Sequence, residues 1–183
     1  MRVVYYNGKF VPESEAKISI FDSALMFGDM VFEMTRSFGK KQFKLREHID
    51  RLYSSIDHVK IPIDISKTEM EEICFKTIEK NESEFLDTDE HRLMINVSRG
   101  PLSIYGEIFN NNLEPTIIVA DFPLKWTVQG MGKLFDSGIN AIIPKQRAIP
   151  EELLDPKVKN RSRLHYMMAN IQTSQFPGEN NWP

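Results

Sequence analysis

Apolar and polar residues follow each other along this chain in patterns that predict its elements. Residues 3–6 and 9–11 are β-prone runs flanking Asn7-Gly8. Asn-Gly there predicts a tight hairpin, because both central positions of a type I′ turn need positive φ. Residues 16–22 predict a short strand running into a turn. From 31 to 38 the alternation is strict: Phe32, Met34, Arg36 and Phe38 share one face, and Val31, Glu33, Thr35 and Ser37 share the other. Gly39-Lys40-Lys41 then turns the chain into a partner strand over 42–45.

The period changes at 46–59. Ile49, Leu52, Tyr53, Ile56 and Val59 recur at helical spacing, with Glu47, Asp50, Ser54 and Asp57 outward. Ser66-Lys67-Thr68-Glu69 is a capping-box pattern opening a second helix, whose apolar stripe is Met70, Ile73, Cys74 and Ile78. Residues 93–98 and 116–122 read as strands, and 100–112 as a loop. A proline, two glycines and Trp126 over 123–132 predict a linker. Beyond it, 138–143 predicts a strand, 144–156 a long connection, 164–176 a helix burying Leu164, Met167, Met168 and Ile171, and 177–183 a turn. Strands and helices mix without regular alternation, so the fold class is α+β. The expected division is a small domain over 1–123, a linker over 124–132, and the start of a larger domain over 133–183.

Length and charge narrow the function only by exclusion. At 183 residues the chain can bury a substantial core, and its net charge of −3 gives no global pull toward nucleic acid or membrane. The single cysteine, Cys74, cannot form an internal disulfide, which fits a reducing compartment. There is no signal-peptide core at the N-terminus and no apolar run long enough for a membrane span. The expectation is a cytoplasmic protein that handles small molecules.

Metal, hydrolase and nucleotide chemistry lack support. His48, His58, His91 and His165 are scattered, with no zinc-like spacing to cysteine or carboxylate. Neither a Gly-x-Ser-x-Gly elbow nor a glycine-rich phosphate loop is present. The run Lys157, Lys159, Arg161, Arg163 could meet a phosphate backbone, but a nucleic-acid module would surround it with more basic charge. Lysine chemistry remains. A nucleophilic lysine needs burial or cationic neighbours to give up its proton near neutral pH, and Arg161 and Arg163 supply such a field if the fold turns them inward. An amine of this kind forms a Schiff base with an aldehyde, and pyridoxal phosphate is the usual partner. Its phosphate needs an arginine or a helix N-terminus, and an amino-acid substrate a second arginine. From spacing alone, an arginine placed as Arg51 or Arg99 is more often a surface salt-bridge residue.

Three stretches, in order, resemble a known family. Asn7-Gly8-Lys9-Phe10-Val11-Pro12, Ala16-Lys17-Ile18-Ser19-Ile20-Phe21-Asp22 and Phe27-Gly28-Asp29-Met30-Val31-Phe32-Glu33 together look like the opening of the class IV (fold type IV) pyridoxal-phosphate enzymes. That family includes branched-chain and D-amino acid aminotransferases, (R)-selective amine transaminases and aminodeoxychorismate lyase. Arg46-Glu47-His48-Ile49-Asp50-Arg51-Leu52-Tyr53-Ser54-Ser55 is similar to its His-x-x-Arg-Leu-x-x-Ser helix, which implies that Arg51 binds the cofactor phosphate. Val158-Lys159-Asn160-Arg161-Ser162-Arg163-Leu164 resembles the segment carrying the Schiff-base lysine, implying Lys159 as that residue and Lys157 as its surface neighbour. Val97-Ser98-Arg99-Gly100 resembles the strand end that places a substrate-carboxylate arginine in the D-amino acid branch. Arg36 matches a position near the site in the branched-chain branch, and Phe32 a pocket wall. Phe27 stands where many members have tyrosine.

The resemblance implies a small two-layer α/β N-terminal domain plus the start of a larger β-rich domain. It also implies a homodimer and transamination between an amino acid (or amine) and a 2-oxo acid through the lysine Schiff base. Two departures bear on substrate. Asn160 to Arg163 does not match the Gly-Gly-Asn-Tyr stretch of the branched-chain group, and Ser162 stands where the D-amino acid and lyase branches often have asparagine. The family's carboxylate partner for the pyridine nitrogen lies further beyond the lysine than the 24 positions this chain extends. Two further readings therefore stand beside transamination: a lyase of the aminodeoxychorismate type, and a truncated fragment that does not catalyse.

Overall fold

A computed structural model describes all residues, 1–183. Its contacts divide the chain into two units. One contains residues 1–124 and 157–162, the other 125–156 and 163–183.

The first unit is built on a six-stranded antiparallel sheet. Strands β1 (Val3–Tyr6) and β2 (Lys9–Pro12) form the predicted hairpin around Asn7 and Gly8, both at positive φ. The short helix α1 (Ser23–Phe27) leads into the long strand β3 (Met30–Phe38), which turns back briefly as β4 (Lys41–Gln42). Two fifteen-residue helices follow, α2 (Leu45–Val59) and α3 (Lys67–Asn81). Strands β5 (His91–Ser98) and β6 (Thr116–Pro123) complete the sheet in the order β2-β1-β6-β5-β3-β4.

One face of the sheet carries Tyr5, Val31, Leu93, Ile95, Val97, Ile117 and Val119. These pack with Ile49, Leu52 and Ile56 of α2 and Met70 and Cys74 of α3 in one buried cluster. This is the period-2 stripe of a sheet meeting the period-3.6 stripe of two helices. At α3 the capping box is complete: the Ser66 hydroxyl accepts from the Glu69 amide, and the Glu69 carboxylate accepts from the Ser66 amide.

Several elements differ from the sequence pattern. Residues 16–22 form no strand: 16–19 are irregular, 20–21 are a turn, and Asp22 is taken as the N-cap of α1. Its buried carboxylate accepts from the Ala24 amide and from the hydroxyls of Ser98 and Thr116. The partner strand expected over 42–45 shrinks to Lys41–Gln42, since the chain enters α2 at Leu45. The loop over 100–112 contains a 3-10 turn, Ser103–Phe109.

In the second unit, the expected linker lies mostly within helix α4 (Lys125–Ser137). Gly130 and Gly132, which each cost a helix about 1 kcal/mol relative to alanine, masked its periodicity. The strand expected over 138–143 is only β7 (Asn140–Ala141), paired in parallel with β8 (Asn181–Trp182) from the expected terminal turn. Helix α5 (Leu164–Thr173) forms, but Leu164, Met167, Met168 and Ile171 are all exposed. Thr173 is the unit's sole buried residue, so no second layer covers that stripe.

A buried polar cluster closes the β4 end of the sheet. His91 and Asp121 have fully buried side chains, with Nδ1 of His91 2.8 Å from an Asp121 oxygen and Nε2 2.9 Å from Glu82. Glu82 also pairs with Lys40, and the Phe85 ring stacks on the imidazole. Both ring nitrogens face carboxylates, so the trio must hold one proton that free groups would release. Burial alone would lower the His91 pKa, but the Asp121 hydrogen bond and the charges of Asp121 and Glu82 raise it. Asp121 is also raised, chiefly by its own burial. Glu82 moves the other way, lowered chiefly by its Lys40 hydrogen bond, and both carboxyls titrate in the acid range, so the neutral-pH dependence belongs to His91. Its contribution is fully present below about pH 6.5, where free imidazole is charged, and is lost as pH rises through the raised folded value. The urea midpoint followed by circular dichroism is expected to fall between about pH 6 and about pH 9, and His91→Gln to flatten that fall.

Candidate active site

Helix α2 carries two stripes. Ile49, Leu52 and Ile56 enter the core, while His48, Arg51 and Ser55, spaced by three and four residues, form a polar stripe beside them. Facing that stripe is Glu33 of β3, with no exposed surface. Arg51 grips its carboxylate from two nitrogens, Nε to Oε1 and Nη2 to Oε2 at 2.7 Å, and His48 Nδ1 lies 2.8 Å from Oε2. Burial would push the Glu33 pKa up, but the Arg51 and His48 hydrogen bonds outweigh it and hold the carboxyl below its ordinary range. Glu33 in turn raises Arg51. The guanidinium is thus fixed on its Nε edge while half of the side chain stays accessible.

The segment 157–162 joins this arrangement from a distant part of the chain. It docks antiparallel on the edge of β3: the Phe32 amide donates to the Lys159 carbonyl at 3.0 Å, and the Arg161 amide donates to the Met30 carbonyl at 2.8 Å. The Lys159 amide donates to Ser55 Oγ at 3.3 Å. Val158 enters the main core, which registers the segment from its other side. Opposite pleats divide the rest. Lys159 and Arg161 lie on the face carrying Phe32, with Lys159 Nζ 4.6 Å and the Arg161 guanidinium carbon 3.6 Å from the Phe32 ring centre. Arg161 also donates to Asn96 Oδ1 from Nε and Nη2, at 3.2 and 2.9 Å.

Close approach requires glycine at one point. Gly28 ends α1 with φ +68, and a Cβ there would sit 3.1 Å from the Ser162 Cα.

The fold therefore brings Lys159, Arg51 and Phe32 to one end of β3. Arg36 lies on the Phe32 face four residues along, stacked on the Phe38 ring at 4.0 Å, with its Nε bonded to the Ser37 carbonyl. Arg99 stands apart. It pairs with Asp29 through Nε and Nη2 and donates to the carbonyls of Val59 and Lys60 at the end of α2. These bonds tie the start of β3 to the end of α2. Lys157 is exposed. Sequence reasoning gave no role to Glu33, Ser55 or Asn96. A clue existed for Glu33, the lone charge on the strand face it shares with Val31, Thr35 and Ser37.

Comparison with known proteins fits this geometry. The sequence model for amino-transferase class IV matches residues 30–175. The chain belongs to the class IV aminotransferases. It is 35% identical over 171 residues to a putative branched-chain-amino-acid aminotransferase of Methanocaldococcus jannaschii, covering 93% of this chain and 55% of that one. A D-alanine aminotransferase of Listeria monocytogenes is 28% identical over 149 residues, or 81% of this chain and 47% of that one. Among solved structures, a hypothetical aminotransferase from Mycobacterium tuberculosis, in its PLP-bound form, superposes with a TM-score of 0.71 at 19% identity. That match covers 94% of this chain and 58% of the other, and it shows the fold. The chain thus spans about half the length of these class IV relatives. It carries the family's α+β, fold-type-IV architecture in its N-terminal portion. Class IV aminotransferases depend on pyridoxal phosphate (PLP).

The docking of the lysine segment can be checked at Gly28. Alanine there meets both the left-handed φ, a cost of about 1 kcal/mol or more, and the Ser162 backbone. Gly28→Ala is expected to speed hydrogen exchange at the Phe32 and Arg161 amides. Gly8→Ala, at φ +87 with nothing within 4 Å, should destabilise the hairpin and leave those two amides unchanged.

Proposed function

We propose that this chain is the cofactor-anchoring portion of a transaminase acting between an amino acid (or amine) and a 2-oxo acid. One observation carries the reading. Lys159 and the half-exposed Arg51 are held at successive turns of the same helix, Arg51 directly and Lys159 through Ser55.

The donor set fits pyridoxal 5'-phosphate. A guanidinium fixed on one edge and accessible on the remainder suits a phosphate, and a lysine with its backbone held on both sides suits an aldehyde. When bound, the cofactor supplies an electron-withdrawing ring that stabilises negative charge developing at the substrate α-carbon. Arg51 would hold the phosphate. Lys159 would present its amine to the cofactor's aldehyde carbon and carry a proton between the substrate α-carbon and that carbon. Phe32 lies beneath the lysine and forms an apolar wall that keeps water from the amine. Arg36, further along the same strand face, meets the substrate's acid group.

A homodimer is part of this proposal. Ile20, Leu25, Phe27, Ile104 and Ile108 are more than half exposed, and their two segments adjoin because Phe21 packs on Tyr105 and Phe109. Exposed apolar residues gathered this way suit a second copy of the chain. Leu25→Asp is expected to shift the sedimentation coefficient from dimer to monomer. A wild-type chain that sediments as a monomer would remove this part of the proposal.

The chemistry is tested by incubating the 183-residue chain with pyridoxal 5'-phosphate and reducing with borohydride. One stable pyridoxyl mass should form preferentially on Lys159 and vanish in Lys159→Ala. Arg51→Gln should raise the half-saturating cofactor concentration by about tenfold or more, the loss of a charge-assisted hydrogen bond. Equal labelling of all lysines would defeat the proposal.

A further inference from the structure

Lysine side chains are long, so where Nζ can reach depends on how firmly the Cα is held. Two strand-type hydrogen bonds fasten 158–161 to the edge of β3, through the Lys159 carbonyl and the Arg161 amide. Both lie along one edge, while Val158 packs into the core and the Arg161 side chain bonds Asn96; none of these contacts takes the Lys159 amide. The tie at that amide comes from a different direction: Ser55, on α2, accepts from it. Ser55 is 3% exposed, so water cannot readily take over as acceptor if the hydroxyl is removed. Four residues before it on the same helix stands Arg51, about 6 Å back along the axis. Glu33 and His48 hold that turn of α2 against β3.

We infer that Ser55 is a positioning residue, which sets the lysine amine at a fixed distance from the phosphate anchor by tying both to one rigid helix. The inference rests on the roles given above to Lys159 and Arg51. It assigns the hydroxyl a task apart from holding the fold. A ligand that bears a phosphate at one end and an aldehyde at the other must satisfy both groups at once, and α2 carries the determinants of both. With the tie cut, Arg51 still binds phosphate, but Lys159 spends less time within reach of the aldehyde.

The test separates reach from anchoring. Wild type, Ser55→Ala, Ser55→Thr and Lys159→Ala are incubated with pyridoxal 5'-phosphate, reduced with borohydride at intervals, and digested for peptide mass analysis. Labelling of exposed lysines such as Lys67 and Lys76 serves as an internal reference. Inorganic phosphate, added in a parallel series, reports on Arg51 through the concentration that protects Lys159. In Ser55→Ala, Lys159 should label about threefold to tenfold more slowly, the factor expected for one net hydrogen bond. Reference lysines and the protecting phosphate concentration should not change, the thermal unfolding midpoint should fall by no more than one lost buried hydrogen bond accounts for, and Ser55→Thr, which keeps the hydroxyl, should restore the rate. Unchanged Lys159 labelling in Ser55→Ala would overturn the inference. So would slower labelling accompanied by an equal loss of phosphate protection, because that would make Ser55 a structural support of α2. If Lys159 labels no faster than the reference lysines in the wild type, it is the role of Lys159 itself that fails.

Discussion

A carboxylate with no exposed surface must be paired, and Glu33 meets that demand by drawing Arg51 and His48 of α2 onto β3. Much of the arrangement follows from this contact. It fixes the rotation of α2 against the sheet, so Ile49, Leu52 and Ile56 reach the core while Ser55 faces the β3 edge. The β pleat then places Phe32, the neighbour of Glu33, on the opposite face beneath Lys159. Adjacent residues of one strand thus serve the two ends of the site. Replacing Arg51 would weaken phosphate binding and also leave a buried charge with only His48 as partner.

Further fastenings keep that end of the sheet in place. Asp22 caps α1 and bonds hydroxyls at the ends of β5 and β6. Arg99 ties the start of β3, through Asp29, to the last carbonyls of α2. Arginine suits this role because its planar donors can meet a carboxylate and two carbonyls together. Between these two fastenings lies Gly28, whose missing side chain leaves room for Ser162.

The two units differ in how completely they bury themselves. The first encloses a continuous core between one sheet face and two helices, and it takes in Val158 from the later part of the chain. The second is mostly helix and irregular segments, and the apolar residues of α4 and α5 stay largely exposed. The class IV relatives contain roughly as much chain again.

Local sequence determined what local physics controls. Asn7-Gly8 set the hairpin, strict alternation set β3, helical spacing set α2 and α3, and the capping residues around Ser66 set where α3 begins. The motif resemblance also carried the family and singled out Lys159 and Arg51 together. Tertiary structure decided the rest. Residues 16–22 lost their strand because Asp22 found partners 76 and 94 residues away, and no local propensity reports such bonds. Arg99 matched a substrate-binding position but is held by Asp29. Ser55 matched the serine of the motif helix, but its task was not legible until the chain returned with Lys159 104 residues later. Spacing along a chain shows which residues share a face. Which distant segment meets that face is settled by packing of the whole core, and that is where the lysine and its helix come together.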